Sequence, residues 1–231
     1  MPGLSAEDLQ ALVLSLQVAA TATAVALPFA LAAAYLLARK SFPGKQLFNG
    51  LVHLPLVLPP VVTGYILLLA FGRHGPLGIL FADLFGLTFI FRWTGAALAA
   101  GVMGFPLMVR AIRLAIEAVD PKLEDAAATL GAARPWVFLT VTLPLILPGI
   151  LAGAVLGFAR GLGEFGATIT FVSNIPGQTR TLPLAIYSEL QVPGGEPAAL
   201  RLVIIATVFA MAALMISELV ATRVARRIGG A

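Results

Sequence analysis

Cysteine is absent from the chain, and with it disulfides, thiolate nucleophiles and cysteine-ligated metals. Charge is scarce: Asp, Glu, Lys and Arg make up 11% of the 231 residues, against about 25% in an ordinary soluble domain. The two histidines, His53 and His74, are separated by an apolar run, so no metal cluster and no metal-ligating residue is expected. No stretch carries the glycine–lysine spacing of a P-loop, which excludes ATP binding of that type. No nucleophile elbow or histidine–carboxylate cluster appears, so the chain reads as a non-enzyme with no cofactor. A basic leader is missing too. Glu7 and Asp8 precede the first apolar run, and no cleavable signal is expected.

What is present is apolar. Hydrophobic residues make up 59% and mean hydropathy is +0.98. A chain of this size cannot hide so much apolar surface in a water-soluble fold, so it belongs in a bilayer, with lipid as a partner. The formal charge of +4 does not point to nucleic acid, because the cations are scattered between apolar runs.

A membrane-spanning helix needs about 20 apolar residues. Five segments qualify: 9–38, 46–72, 93–118, 135–159 and 198–220. The expectation is an all-α polytopic membrane protein with five core helices and no second domain in 1–231. The stretch 76–91 is the candidate sixth span. Asp83 in its middle and Gly78 and Gly86 favour a short outer hairpin or half-helix instead. With the N-terminus outside and the C-terminus inside, ten of the fifteen basic residues face the cytoplasm: Arg39, Lys40, Lys45, Arg110, Arg113, Lys122, Arg134, Arg223, Arg226 and Arg227. The reverse orientation inverts that ratio, so the positive-inside bias selects the first.

Residues 120–135 interrupt the apolar pattern on the cytoplasmic side. Asp120 can cap a helix with Pro121 at its first position. Glu124 and Asp125 sit in the early turns, where the helix dipole favours acids. Ala126, Ala127 and Ala128 make a slim surface, and Gly131 can end the helix in a left-handed conformation. By chemistry alone this is either an interfacial amphipathic helix or a docking segment for a soluble protein.

The order Asp125-Ala126-Ala127, three residues, Gly131, nine residues, Val141-Thr142-Leu143-Pro144 resembles the EAA loop of ABC importer permeases, with Asp for Glu and Val for Ile. Three further runs are similar to the molybdate permeases of that class: 54–64 with Pro59, Pro60 and Thr63; 160–168, Arg160-Gly-Leu-Gly-Glu164-Phe165-Gly-Ala-Thr168; and 174–187, from Asn174 to Tyr187. The resemblance implies a type I, MetI-like helical bundle in a bacterial or archaeal cytoplasmic membrane, acting as the permease of an ATP-driven molybdate importer. Glu124, Asp125, Ala126, Ala127, Gly131 and Pro144 would couple it to an ABC ATPase subunit. It also implies two ATPase copies, a second permease copy in a homodimer, and an extracytoplasmic molybdate-binding protein.

The remaining site residues are read as pathway or gate: Pro59, Pro60, Thr63, Arg160, Glu164, Phe165, Thr168 and Asn174. Pro55, Pro59 and Pro60 break the second span, and the freed carbonyls must pack on protein or line a cavity. Gly157, Gly161, Gly163 and Gly166 form a thin stripe suited to close helix packing. Glu164, at the outer end of a span, has Arg160 four residues earlier, either as a structural ion pair or as a gate lock. One rival stays open, a sulfate or tungstate permease of the same class. An ion-coupled secondary transporter would need charged relays inside the spans, and the long uncharged stretches and lack of an inverted repeat count against it. A membrane enzyme would need polar residues clustered at one face, and the sequence offers none.

Overall fold

The computed structural model describes residues 5–228, with side chains in the last helix described as far as Met215 and at Leu219. Arg223, Arg226 and Arg227 therefore lie outside the described side chains. Among the described residues there are helices and no strand.

Helix α1 (Ala6–Arg39) opens with a reciprocal cap. Ser5 Oγ accepts from Asp8 N–H at 3.1 Å, and Asp8 Oδ2 accepts from Ser5 N–H at 3.0 Å. Its 34 residues span about 51 Å, well over the ~30 Å hydrocarbon core. Its charged ends, Asp8 and Arg39, therefore reach the two boundaries.

The single span read at 46–72 is two helices, α2 (Lys45–Val57) and α3 (Pro60–Phe71), meeting at 116°. The break falls at Leu58 and Pro59, both extended. The cause is local: a residue before proline is pushed out of the helical region, and Pro60 then starts α3 at its first position. Pro55 stays inside α2, so it does not contribute to the break as expected. The candidate sixth span is a half-helix, α4 (Pro76–Phe85), closed by Gly86 at φ 64°. Phe71, Phe81, Phe85 and Phe89 stack there, with ring centroids 5.4–5.9 Å apart.

Helix α5 (Trp93–Ala118) runs as read from the sequence. It is followed by α6 (Pro121–Thr129), α7 (Arg134–Val137), a π-helical turn (Phe138–Thr142) and α8 (Leu143–Leu162). The π turn precedes Pro144, whose ring would clash with the carbonyl of Thr140 four residues back in a regular helix. Widening the turn relieves that clash. The chain closes with α9 (Gly166–Val172), α10 (Leu182–Leu190) and α11 (Glu196–Ile228). Among the described residues, four helices are long and apolar enough to cross a membrane, and five if the bent pair α2–α3 counts as one crossing.

The core is the triad α1, α5 and α8. One seam of α1 is alanine, with Ala19, Ala22, Ala26, Ala30, Ala33 and Ala34 all buried. At the α5–α8 crossing a Cβ on Gly104 would lie 3.1 Å from the carbonyl oxygen of Gly157. Lipid tails are as apolar as the side chains, so close backbone approach supplies the packing energy that hydrophobicity alone does not. The half of the core beside the C-terminal end of α1 holds Leu37, Ile112, Ile116 and Ile146. The other half holds Val18, Leu67, Met103 and Phe171. The described apolar side chains of α11 are mostly uncovered.

Candidate functional site

The expected site residues separate into one group at an end of the core and one deeper within it, with Asn174 in the loop beyond. At the end where α1 closes, Asp120 caps α6 as expected, its Oδ1 accepting from Lys122 N–H at 2.9 Å. Gly131 has φ 86°. Gly131 N–H donates to Ala128 O and Ala132 N–H donates to Ala127 O, the paired bonds of a Schellman stop. The helix read at this segment is thus capped at both ends by its own sequence.

Its faces are unequal. Asp125, Ala126 and Ala128 are exposed and Ala127 is half-buried. Leu130 is 90% exposed, and Leu123 and Trp136 are open as well. Glu124 turns the other way. Its Oε1 accepts from Arg39 Nη2 at 3.1 Å and from the Thr142 hydroxyl at 2.8 Å. Asp125 and Ala126 stand on the outward face, and Glu124 is tied into the bundle. Pro144, the end of the motif, stands at the start of α8 behind the π turn. A cavity of 790 Å³ opens nearby, with Lys45, Gln46, Asn49 and Arg113 in its wall.

The second group is assembled by α3 against α9. A Cβ on Gly64 would fall 2.6 Å from the Ala167 carbonyl oxygen, and one on Gly166 would meet Pro60 at 2.8 Å. This packing gathers Pro59, Pro60 and Thr63 beside Glu164, Phe165 and Thr168. Thr63 and Thr168 are buried, and Thr63 Oγ1 has no hydrogen-bond partner among the described residues.

Glu164 occupies the break between α8 and α9. Oε1 accepts from Ala167 N–H at 2.8 Å, and Oε2 lies 2.6 Å from Arg160 Nη1. That ion contact is short but not aligned as a hydrogen bond. The pair is also deeper than its sequence position suggests. Gly161 packs on Ala19 and Ala100, whereas Val172, at the far end of α9, reaches Gly95 near the start of α5. Helix α9 therefore rises from Glu164 toward the end where α5 begins, by about 10 Å for its seven residues.

Beyond α9 the chain forms a polar loop. Ser173 has φ 65°, a left-handed conformation that costs a non-glycine residue about 1–3 kcal/mol. The Thr179 hydroxyl donates to Ser173 O at 3.0 Å and accepts from Ile175 N–H at 2.9 Å. Asn174 donates to the Ser188 hydroxyl at 2.7 Å and accepts from Arg180 Nε at 3.1 Å. The rings of Phe165 and Tyr187 meet in a tilted pair, centroids 5.1 Å apart. A cleft of 420 Å³ lies between this loop and the start of α1, walled by Glu7, Gln10, Gln17, Gly177 and Arg180. Asp8 pairs with Arg201 at 2.8 Å and joins α1 to α11 at the same end.

Three elements of the site were not read from the sequence: the π turn, the strained Ser173 and the inward bond of Glu124. Pro144 after a β-branched run is a signal for the first. The other two depend on partners far along the chain.

The family model for binding-protein-dependent transport system inner membrane components matches residues 26–230. Over 221 residues the chain is 61% identical to the molybdenum transport system permease protein ModB of Escherichia coli K12, covering 96% of each. It is 55% identical over 222 residues to ModB of Haemophilus influenzae, covering 96% of this chain and 97% of that one. Among solved structures, a bacterial ABC transporter involved in the import of the acidic polysaccharide alginate superposes with a TM-score of 0.74. It covers 95% of this chain and 80% of that chain at 18% identity, a likeness of fold alone.

Proposed function

The chain belongs to the binding-protein-dependent transport system inner membrane components, and on that premise we propose that it is the membrane-spanning permease of an ATP-driven molybdate importer. The observation that carries the reading is its identity with molybdenum permeases over nearly the whole of both chains. Sulfate and tungstate become secondary candidates.

It is a multi-pass inner-membrane protein. ATP hydrolysis belongs to a separate subunit, which docks on the outward face of α6 through Asp125, Ala126 and the open Leu123 and Leu130. Residues 120–135 are the coupling loop of one permease domain. Two permease copies enclose the pathway, with two ATPases on the cytoplasmic side and a molybdate-binding protein outside. The N-terminus is outside and the C-terminus inside, in keeping with the distribution of basic residues. Affinity and selection reside in the external binding protein. The group around Pro60, Thr63, Glu164 and Thr168 forms a gate at the α8–α9 break, and a carboxylate there is suited to locking helices rather than holding a dianion.

The test is reconstitution of the permease with an ABC ATPase subunit and a molybdate-binding protein from the same organism. ATP-dependent uptake of molybdate, with sulfate taken up at least tenfold more slowly, is expected. Equal uptake of sulfate, or uptake driven by an ion gradient without ATP, would overturn the assignment.

A further inference from the structure

One carboxylate oxygen gathers three helices and the entry to a fourth. Glu124 Oε1, on α6, takes the Arg39 guanidinium from the end of α1 and the Thr142 hydroxyl from the end of the π turn that leads into α8. The same Arg39 Nη2 donates to Val119 O, the residue that closes α5, at 3.3 Å. Thr142 is 1% exposed, so its hydroxyl cannot exchange this partner for water without opening the core. Polar contacts of this kind hold one geometry, whereas the apolar contacts around them can slide. Among the described residues Arg39 Nε is buried and has no bond partner, which leaves a donor for a second arrangement of the same three side chains. The π turn adds to this, because a widened turn is a place where a helix can change register.

Resting on the coupling role given to α6 above, we propose that the Arg39–Glu124–Thr142 cluster is the linkage that carries displacement of α6 into α1 and α8. Glu124 is then a positioning residue, and Asp125, one place on, is left for the ATPase. An outward-facing α6 held by its two chain ends alone would rock on the bundle without moving it. With the cluster in place, a pull on α6 reaches two of the three core helices at once.

The experiment compares Arg39→Gln, Thr142→Val, Glu124→Gln and the exchanged pair Arg39→Glu with Glu124→Arg. Each is assembled with the ATPase and binding protein in proteoliposomes. Two quantities are read: ATPase retained per permease, and molybdate imported per ATP hydrolysed. Coupling between sites typically amounts to a factor of about 5–150. Arg39→Gln and Thr142→Val should therefore retain the ATPase while import per ATP falls about fivefold or more. The exchanged pair should recover part of that loss. An unchanged import-to-ATP ratio in all the single variants overturns the linkage. Loss of the ATPase from Thr142→Val, a near-isosteric change, also overturns it, because the cluster then serves docking or folding. A wild-type chain that fails to retain an ATPase overturns the functional reading and the linkage with it. Failure in the variants alone counts against the linkage only.

Discussion

Glu164, 2% exposed, holds its carboxylate 2.6 Å from the guanidinium of Arg160 one turn earlier, at the point where α8 gives way to α9. The same carboxylate caps the start of α9 through Ala167 N–H. Removing Arg160 strands a buried charge, a loss of about 3–5 kcal/mol. Glu164→Gln keeps an acceptor for Ala167 and should cost about 1–3 kcal/mol. Arg160→Gln should therefore be the more damaging single change, and Glu164→Gln should relieve it in the double variant. Thermal unfolding of the purified complex measures the cycle. Strict additivity would show that the two groups do not act as a pair.

The seat of α3 on α9 depends on Gly64. A methyl group there would press on the Ala167 carbonyl and on Thr170 Cβ, and overpacking of this kind costs about 1–3 kcal/mol. Gly64→Ala should lower the melting temperature and slow molybdate uptake. Gly163→Ala, where only Ala159 O at 3.9 Å is near, is the control. Equal tolerance of the two changes would mean that α3 does not rest on α9 as described.

At Gly131 the constraint is conformational. Nothing lies within 4 Å of a Cβ there, yet φ is 86°. Holding an L-residue in that region costs roughly 1–2 kcal/mol, more with a branched Cβ. ATPase retention by the permease should fall in the order Gly, Asn, Ala, Val. A valine variant that retains the ATPase as well as alanine would refute a left-handed requirement in the assembled complex.

Ala126 and Ala127 differ in exposure, and this separates docking from folding. Ala126→Trp places bulk on the open face and should release the ATPase while leaving the melting temperature of the free permease within about 2 °C, as expected for an exposed position. Ala127→Trp, at a half-buried position, should lower that temperature as well. If Ala126→Trp binds and couples normally, the outward face of α6 is not the docking surface.

Orientation can be read with single cysteines, since the chain has none of its own. Ser5, Ser41 and Gln178 are all exposed. An impermeant thiol reagent on intact cells should label Ser5→Cys and Gln178→Cys and spare Ser41→Cys. Labelling at position 41 would overturn the five-crossing topology.

By itself the sequence determined the membrane, the all-helical class and the limits of the long spans, because those follow from local composition and uncharged length. It also determined α6 with both its caps, because Asp120, Pro121 and Gly131 act on backbone within a few residues of themselves. The break before Pro60 was legible for the same reason, although its angle was not. Only the tertiary structure decided that Glu124 faces Arg39 and Thr142 while Asp125 faces out. Neighbouring acids on a helix point about 100° apart, and which one meets the bundle depends on where α1 ends, 85 residues earlier. It also decided that Glu164 is sunk by the length of α9 below the end where α5 begins. Depth in a bundle is set by how helices stack on one another, and Gly64 against Ala167 and Gly161 against Ala19 are pairings that no local pattern encodes.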